Sequence, residues 1–299
     1  MVKIYEAPYG GWQKCLFIEN EVVQLVVTLE VGPRIIRYAL QGKENIFREN
    51  PSEMGTSGGD SWVMYGGHRL WHAPELMPRT YVNDNFPVKY SVDGTVVTVT
   101  PDKEDYSRTQ KEMVITLSEN SSKVTVEHRV TNLNVWDVDL AVWCLTVCDN
   151  GGLEVIGEPE HFQQLLPNRR ISLWPYSRLN DHRVYWGENY ITLNSDPEFK
   201  EYSFKMGLDN HAGWAAMFNK GCMFLKRYPV EPEVEYPDYG VSFETYMCDY
   251  MTECETLSPM MHLTPGSTAI HVEEWELFEE ERPDAKDEKA IKKIMDKYI

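Results

Sequence analysis

The chain lacks long apolar runs and an apolar leader. No stretch approaches the roughly 20 apolar residues that a helix needs to cross a bilayer. The opening Met-Val-Lys-Ile-Tyr-Glu-Ala-Pro is too polar to begin a secretory signal. These absences predict a protein that does not span membranes, and the expected location is the cytoplasm.

Basic residues are also scarce. The sequence has 29 Lys and Arg against 47 Asp and Glu, which gives a formal net charge of -18. A surface of that sign repels nucleic-acid phosphates and anionic lipid headgroups. Neither nucleic acid nor a membrane surface is therefore an expected partner.

Paired cysteine motifs are missing as well. The six cysteines are scattered, with three residues between Cys144 and Cys148 and five between Cys248 and Cys254. This is not the double pair of a structural zinc site, and a disulfide framework is not expected without a secretory leader. The sequence predicts reduced thiols, no metal and no cofactor.

Helical periodicity is confined to the end of the chain. Apolar residues recur at helical spacing only over about 284–298, after Pro283, which predicts a short amphipathic C-terminal helix. Elsewhere short strand patterns alternate with turns. With 299 residues, 42% of them hydrophobic, the chain can bury a substantial core. We therefore expect one all-β domain over residues 1–299, a large antiparallel β-sandwich.

Hairpins give the clearest strand signals. Residues 88–92 and 95–100 flank Asp93-Gly94, a pair suited to a two-residue turn, and residues 113–117 and 124–130 flank a longer polar turn. Further strands are predicted at 14–18, 22–29, 34–40, 138–147, 190–193, 214–218, 223–227, 241–247 and 270–278. Two long stretches, 48–88 and 157–189, show no regular pattern, and such segments commonly line a site.

The first irregular stretch contains the densest group of chemically active side chains, at residues 66–75. A helix would put His68, His72 and Glu75 on one face, where they could hold zinc, but the preceding Gly-Gly and the following Pro oppose a helix. An extended segment would separate the two histidines by roughly 13 Å and turn Arg69 and Trp71 to the other face. One metal would then not bind both imidazoles. The alternative is one hydrogen-bonded structural histidine and one exposed histidine.

Tryptophan and arginine accumulate in the irregular stretches. Each tryptophan taken alone is more often part of a core than of a site. Together the two residue types supply flat apolar surfaces and charged donors, the mixture that a sugar site needs. The residues concerned are Arg34, Trp62, Arg69, Trp71, Arg169, Arg170, Trp174 and Trp186.

Glu244 lies in an alternating strand pattern over residues 240–246. Phe243 and Thr245 would face one way, and Glu244 and Tyr246 the other. The ordinary interpretation is a solvent-facing carboxylate, and the functional one is a general base held rigidly on the sheet.

Several motifs in order resemble the galactose mutarotase-like superfamily. They are Val-Gly-Pro-Arg-Ile-Ile at 31–36, Gly-Gly-His-Arg-Leu-Trp-His-Ala-Pro-Glu at 66–75, Val-Glu-His-Arg-Val-Thr-Asn at 126–132, Phe-Glu-Thr-Tyr at 243–246 and Leu-Thr-Pro-Gly at 263–266. The resemblance extends over nearly the whole chain and is nearest to an aldose 1-epimerase-like branch. It implies a large antiparallel β-sandwich that binds sugars in a cleft on a concave sheet.

The resemblance also implies roles for individual residues. In mutarotases a late-strand Glu takes the proton of the anomeric hydroxyl while a His protonates the ring oxygen, and Glu244 matches that Glu. Residues 141–147, where the family carries its His, contain none, so His68 or His72 is the expected substitute. The expected substrate contacts are Arg34, Arg69, Trp71, Glu75 and Trp174.

Three functions are compatible with these motifs. The first is an aldose 1-epimerase-like isomerase that interconverts sugar anomers. The second is a non-catalytic sugar-binding or sensing protein, and the third is a carbohydrate lyase or glycoside-processing enzyme on the same fold. A small sugar or an oligosaccharide is the ligand in each, and fold alone does not select among them.

Overall fold

The structure is a computed structural model that describes residues 1–159 and 165–299. Antiparallel strands make up most of it. The strands are β1 (Lys3–Tyr9), β2 (Trp12–Glu19), β3 (Val23–Thr28), β4 (Arg34–Leu40), β5 (Gly67–Ala73), β6 (Lys89–Asp93), β7 (Val96–Thr100), β8 (Thr109–Leu117), β9 (Val124–Asn132), β10 (Val138–Asp149), β11 (Leu153–Gly157), β12 (Ile171–Leu173), β13 (Val184–Trp186), β14 (Tyr190–Asn194), β15 (Phe204–Leu208), β16 (Trp214–Asn219), β17 (Cys222–Arg227), β18 (Phe243–Met247), β19 (Met251–Leu257), β20 (Met261–Leu263) and β21 (Thr268–Phe278). The helical segments are α1 (Pro237–Gly240) and α2 (Glu288–Met295).

These strands form two large sheets. The first has the order β1-β2-β3-β4-β5-β10-β19-β18-β15-β12, with β20 paired to β10, and the second has the order β13-β14-β11-β16-β17-β21-β9-β8-β7-β6. A continuous apolar layer of side chains from both sheets lies between them. The predicted all-β sandwich is confirmed, because each sheet buries its apolar face against the other.

The C-terminal helix is shorter than the predicted 284–298. The side chain of Asp287 caps it by accepting a hydrogen bond from the Ala290 amide at 3.0 Å. Ile291 and Met295 are buried against the outer face of the second sheet. No helix in the described ranges is long and apolar enough to cross a membrane.

Several predicted strands are confirmed. Residues 34–40 form β4, and the predicted hairpin joins β6 to β7. Its turn residues are Gly94, at a φ of 60°, and Thr95, one position later than predicted, because Asp93 still pairs with Val96. The two stretches expected to be irregular are only partly so. The first contains β5, and the second contains β12 and β13, while its residues 160–164 lie outside the described part of the chain.

The prediction for residues 66–75 was therefore wrong in placing them in an irregular segment. β5 is central in the first sheet, between β4 and β10, and all seven of its residues are buried. Side chains of a strand alternate between the two faces of a sheet. This alternation decides which residues of the motif reach the outer surface of the first sheet.

Candidate functional site

A cavity of about 400 Å³ lies on the outer face of the first sheet, turned away from the second sheet. We call it the cleft. Its lining residues are Trp62, Met64, Arg69, Trp71, Glu75, Tyr81, Trp143, Leu145, Trp174, Tyr176, Lys205, Tyr246, Tyr250, Met251 and Glu253. Four of the five predicted substrate contacts are among them, namely Arg69, Trp71, Glu75 and Trp174.

Strand register assembles the floor of the cleft. One row of paired residues runs Arg69, Leu145, Glu255, Glu244 across β5, β10, β19 and β18. A neighbouring row pairs Glu253 with Tyr246 and Tyr246 with Lys205. Paired residues on adjacent antiparallel strands share a face and lie roughly 5 Å apart. Residues distant in sequence are thus held on rigid elements side by side.

Aromatic rings line much of the cleft. The centroids of Trp71 and Trp143 are 5.4 Å apart, and Tyr81 lies 4.9 Å from Trp71. Trp62 is 5.5 Å from Trp71. Loops bring these walls to the sheet: Trp62 precedes β5, Tyr81 follows it, and Trp174 follows β12. Such flat surfaces suit the apolar faces of a ring-shaped ligand.

Arg69 is fixed on one side of the floor. Its Nη2 donates to Glu253 Oε1 at 3.0 Å. Its guanidinium carbon lies 4.6 Å from the ring centre of Trp71 and 5.4 Å from that of Trp62. A guanidinium held by a carboxylate and stacked on two indoles has little freedom to reorient.

Lys205 is fixed on the other side. Its Nζ lies 2.8 Å from Glu244 Oε2 and 3.2 Å from Glu255 Oε2, and both carboxylates are fully buried. The ammonium also lies 4.8 Å from the ring centre of Trp143 and 4.7 Å from that of Trp174. Glu255 Oε2 also accepts a hydrogen bond from the Trp143 indole nitrogen at 2.8 Å.

The floor holds more acidic than basic groups. Three carboxylates, Glu244, Glu253 and Glu255, face two cations, Arg69 and Lys205. Burial raises the pKa of Glu255 to about 7, and burial likewise raises the pKa of Glu244 well above its ordinary value. Burial opposes the charge of Lys205, but Glu255 and Glu244 together raise its pKa. The ammonium and the two carboxyls therefore influence one another's protonation strongly.

The two predicted histidines lie on the opposite face of β5 from Arg69 and Trp71. His68 Nδ1 is 2.8 Å from Thr146 Oγ1, and His68 Nε2 is 2.7 Å from His128 Nε2 on the second sheet. Burial lowers the pKa of His68 well below its ordinary value, and burial lowers the pKa of His72 to about 3. Both imidazoles point into the interior between the sheets, so neither lines the cleft.

Glu244 and Arg34 are close to the cleft without lining it. Glu244 lies beneath Lys205 and is completely buried, not solvent-facing. Arg34 is also fully buried, where its Nη1 donates to the carbonyls of Met64 and Gly66 at 2.7 Å each and its Nη2 pairs with Asp84 at 2.8 Å. Arg34 thereby holds the loop that carries Trp62 into the cleft.

Arg169 and Arg170 lie elsewhere. Arg169 Nε is 2.9 Å from Glu158, and Arg170 lines a different cavity beside Asp209 and His211. Neither belongs to the cleft, so the arginines that sequence reasoning grouped together are separated in space.

Sequence reasoning missed Lys205, Glu253, Glu255 and Trp143. The alternation of two Glu with Cys and Thr over Met251–Leu257 was the available signal for a strand that carries two carboxylates on one face. The sequence offered no signal for Lys205, because a single Lys in a polar segment is ordinarily exposed.

The residues best arranged to hold a metal lie in the interior. Ligand atoms of His68, His128 and Glu273 lie within 4.8 Å of one another. Lys226 already places its ammonium 2.9 Å from Glu273 Oε1, and the two imidazoles hydrogen-bond to each other. The geometry is that of a hydrogen-bonded polar network in which Glu273 already has a cationic partner.

Comparison with known proteins supports the fold. No protein-family model and no curated protein matches the chain. Among solved structures, a galactose mutarotase-like protein from Lactobacillus casei has a TM-score of 0.59 and 10% sequence identity, over 88% of this chain and 100% of that chain. A galactose mutarotase-like protein from Clostridium acetobutylicum has a TM-score of 0.55 and 11% identity, over 93% and 99%. A candidate aldose 1-epimerase from Escherichia coli K12 has a TM-score of 0.54 and 10% identity, over 93% and 99%.

This chain therefore has the galactose mutarotase-like fold, as its motifs predicted. At such low identity the likeness concerns the fold alone. The chemistry has to be argued from the cleft itself.

Proposed function

We propose that this protein is a sugar-active enzyme of the aldose 1-epimerase type, which binds an aldose in the cleft and interconverts its anomers. The observation that carries the proposal is the combination, in one cavity, of aromatic walls with a carboxylate and an ammonium that both face the cavity, Glu253 and Lys205. Aromatic faces suit sugar rings, and paired acidic and basic groups suit proton transfer.

Anomer exchange needs two proton transfers. In the proposed reaction the Glu253 carboxylate takes the proton of the anomeric hydroxyl while the Lys205 ammonium gives a proton to the ring oxygen. The bond between the anomeric carbon and the ring oxygen then breaks and a carbonyl forms. Rotation and reclosure return both protons and leave the other anomer. Arg69 positions the base through its 3.0 Å hydrogen bond to Glu253.

In the proposal, Glu244 and Glu255 do not contact the sugar and act through Lys205. The sequence suggested Glu244 as the base, but a fully buried carboxylate 2.8 Å from Lys205 acts on a substrate only through that lysine. Glu244 and Glu255 are therefore assigned as positioning residues, which hold the Lys205 ammonium at 2.8 and 3.2 Å.

A second candidate is sugar binding without catalysis. It is favoured by the position of His68 and His72 in the interior. Among residues 1–159 and 165–299, no histidine lines the cleft in the role of the imidazole acid of the mutarotases. The aromatic walls would serve a binding protein equally well.

Anomer exchange measured by NMR distinguishes the two candidates. We expect the protein to accelerate exchange between the α and β forms of at least one common aldose, and Glu253→Gln to slow it by about 100-fold or more while sugar still binds. Glu119→Gln is the matched control, because Glu119 is exposed in the turn between β8 and β9 and its change should leave the rate unaltered. Saturable binding without acceleration would favour the binding protein, and the absence of both would contradict the proposal.

A further inference from the structure

We propose that the cleft accepts sugars without a negatively charged group, and that Glu75 is the residue that discriminates against phosphorylated and carboxylated sugars. This inference rests on the proposed function, since it concerns the ligand of the same cleft. It follows from the partners that the charged residues of the cleft already have.

Both cations of the cleft are already paired. Arg69 and Lys205 are the basic residues that line it within the described part of the chain. The Arg69 Nη2 donates to Glu253. The Arg69 Nε and Nη1 have no hydrogen-bond partner among the described residues, but both atoms are buried beside the indoles that stack on the guanidinium, out of reach of a ligand in the cleft. A sugar phosphate could recruit this guanidinium only by displacing the stacked indoles or by leaving the buried Glu253 without its partner.

The charge of Lys205 is likewise already balanced, although its ammonium faces the cavity. Its side chain is 7% exposed, lies between Trp143 and Trp174, and meets two fully buried carboxylates. Withdrawing the ammonium toward an external anion would leave Glu244 and Glu255 facing each other across adjacent strands without a counter-charge. An anionic ligand therefore finds no cation that is free to receive it.

Glu75 adds a negative charge at the cleft mouth that no ion pair in the described part of the chain holds. It is exposed, and its carboxylate accepts a hydrogen bond from the Tyr81 hydroxyl. No Lys, Arg or His of the described ranges lies within ion-pair distance of it. A phosphate or carboxylate on the ligand would approach this charge across the opening, where repulsion is only partly screened by solvent.

The remaining groups that can hold a ligand are the uncharged aromatic side chains. Eight aromatic residues line the cleft, four Trp and four Tyr. Their faces stack on apolar ring carbons, and tyrosine hydroxyls exchange hydrogen bonds with sugar hydroxyls in either direction. This lining recognises a neutral polyol and offers nothing specific for a phosphate.

The test compares hexoses with their 6-phosphates and uronates at low ionic strength, by binding and by anomer exchange. D-Glucose, D-galactose and D-mannose are the parent sugars. For each parent sugar that binds or turns over, we expect a preference of about tenfold or more over its anionic form. Glu75→Gln should reduce that preference about three- to tenfold, whereas Glu119→Gln, which removes an exposed charge far from the cleft, should not.

The outcomes separate this inference from the proposed function. A 6-phosphate or a uronate that binds and exchanges as well as its parent sugar, or better, would overturn the inference and leave the enzymatic proposal standing. A preference that Glu75→Gln leaves unchanged would overturn the role of Glu75. Failure of every charged and uncharged sugar to bind or exchange would overturn both proposals.

Discussion

Glu255 is the residue whose surroundings most affect its protonation at neutral pH. Its carboxylate lies between Lys205 and the Trp143 indole and is fully buried. Removal from water raises its pKa to about 7, which the positive charge of Lys205 only partly opposes. A carboxyl that changes protonation near neutral pH beside a cleft is a mark of functional sites more often than of surfaces.

Glu255→Gln should change how stability depends on pH. The pKa of Glu255 is raised on folding from 4.5 to about 7, so its contribution is fully present below pH 4.5 and is lost as pH rises to about 7. The loss amounts to about 3 kcal/mol. Gln does not titrate, so the free energy of unfolding of the variant relative to wild type should increase across this range. Urea unfolding at pH 4.5 and 7.5 measures the difference, and an equal difference at both pH values would contradict the raised pKa.

At the scale of elements, β5 and β19 show why the sequence was hardest to interpret where the site lies. Both strands are buried at all seven positions. A strand covered on both faces loses the alternation of apolar and polar residues that identifies strands in the sequence. β5 also begins at the second residue of Gly66-Gly67 and ends just before Pro74, and Gly-Gly and Pro are turn signals. By contrast, β8 and β9 alternate between buried and half-exposed residues, and their hairpin was predicted.

Helix α2 offers a test of packing on the outer face of the second sheet. Ile291 is 0% exposed there, whereas Ile270 on β21 is 47% exposed. Ile291→Ala should lower the free energy of unfolding by about 2–5 kcal/mol, because it removes buried methyl groups and leaves a cavity. Ile270→Ala makes the same chemical change at a half-exposed site and should cost less than about 1 kcal/mol. Equal losses in urea unfolding would show that the helix is not packed as described.

At the scale of the whole molecule, a polar network in the interior connects the two sheets. Lys226 on β17 pairs with Glu273 on β21 and donates to Thr146 on β10 at 2.6 Å. His68 of the first sheet meets His128 of the second at 2.7 Å. Buried polar groups of this kind are tolerated because each finds a partner.

Lys226→Met should destabilise the whole fold. The change leaves the fully buried Glu273 without its ammonium partner, which typically costs about 3–5 kcal/mol. Lys89→Met breaks an ion pair whose side chains are more than 80% exposed, and should cost about 1 kcal/mol or less. Adding Glu273→Gln to Lys226→Met should recover part of the loss. Urea unfolding at pH 7 measures all three, and a Lys226→Met variant as stable as Lys89→Met would exclude the network as a source of stability.

The sequence by itself determined the fold class and the C-terminal helix, because alternation, turn residues and composition are local properties. Arg69, Trp71, Glu75 and Trp174, which the sequence suggested as substrate contacts, line one cavity, and their role there stays a prediction. Only the tertiary structure decided which face of β5 each motif residue takes, and it turned His68 and His72 inward. It also brought Lys205 between Glu244 and Glu255. Strand order and register set these contacts, and they join residues from distant parts of the chain that no local pattern connects.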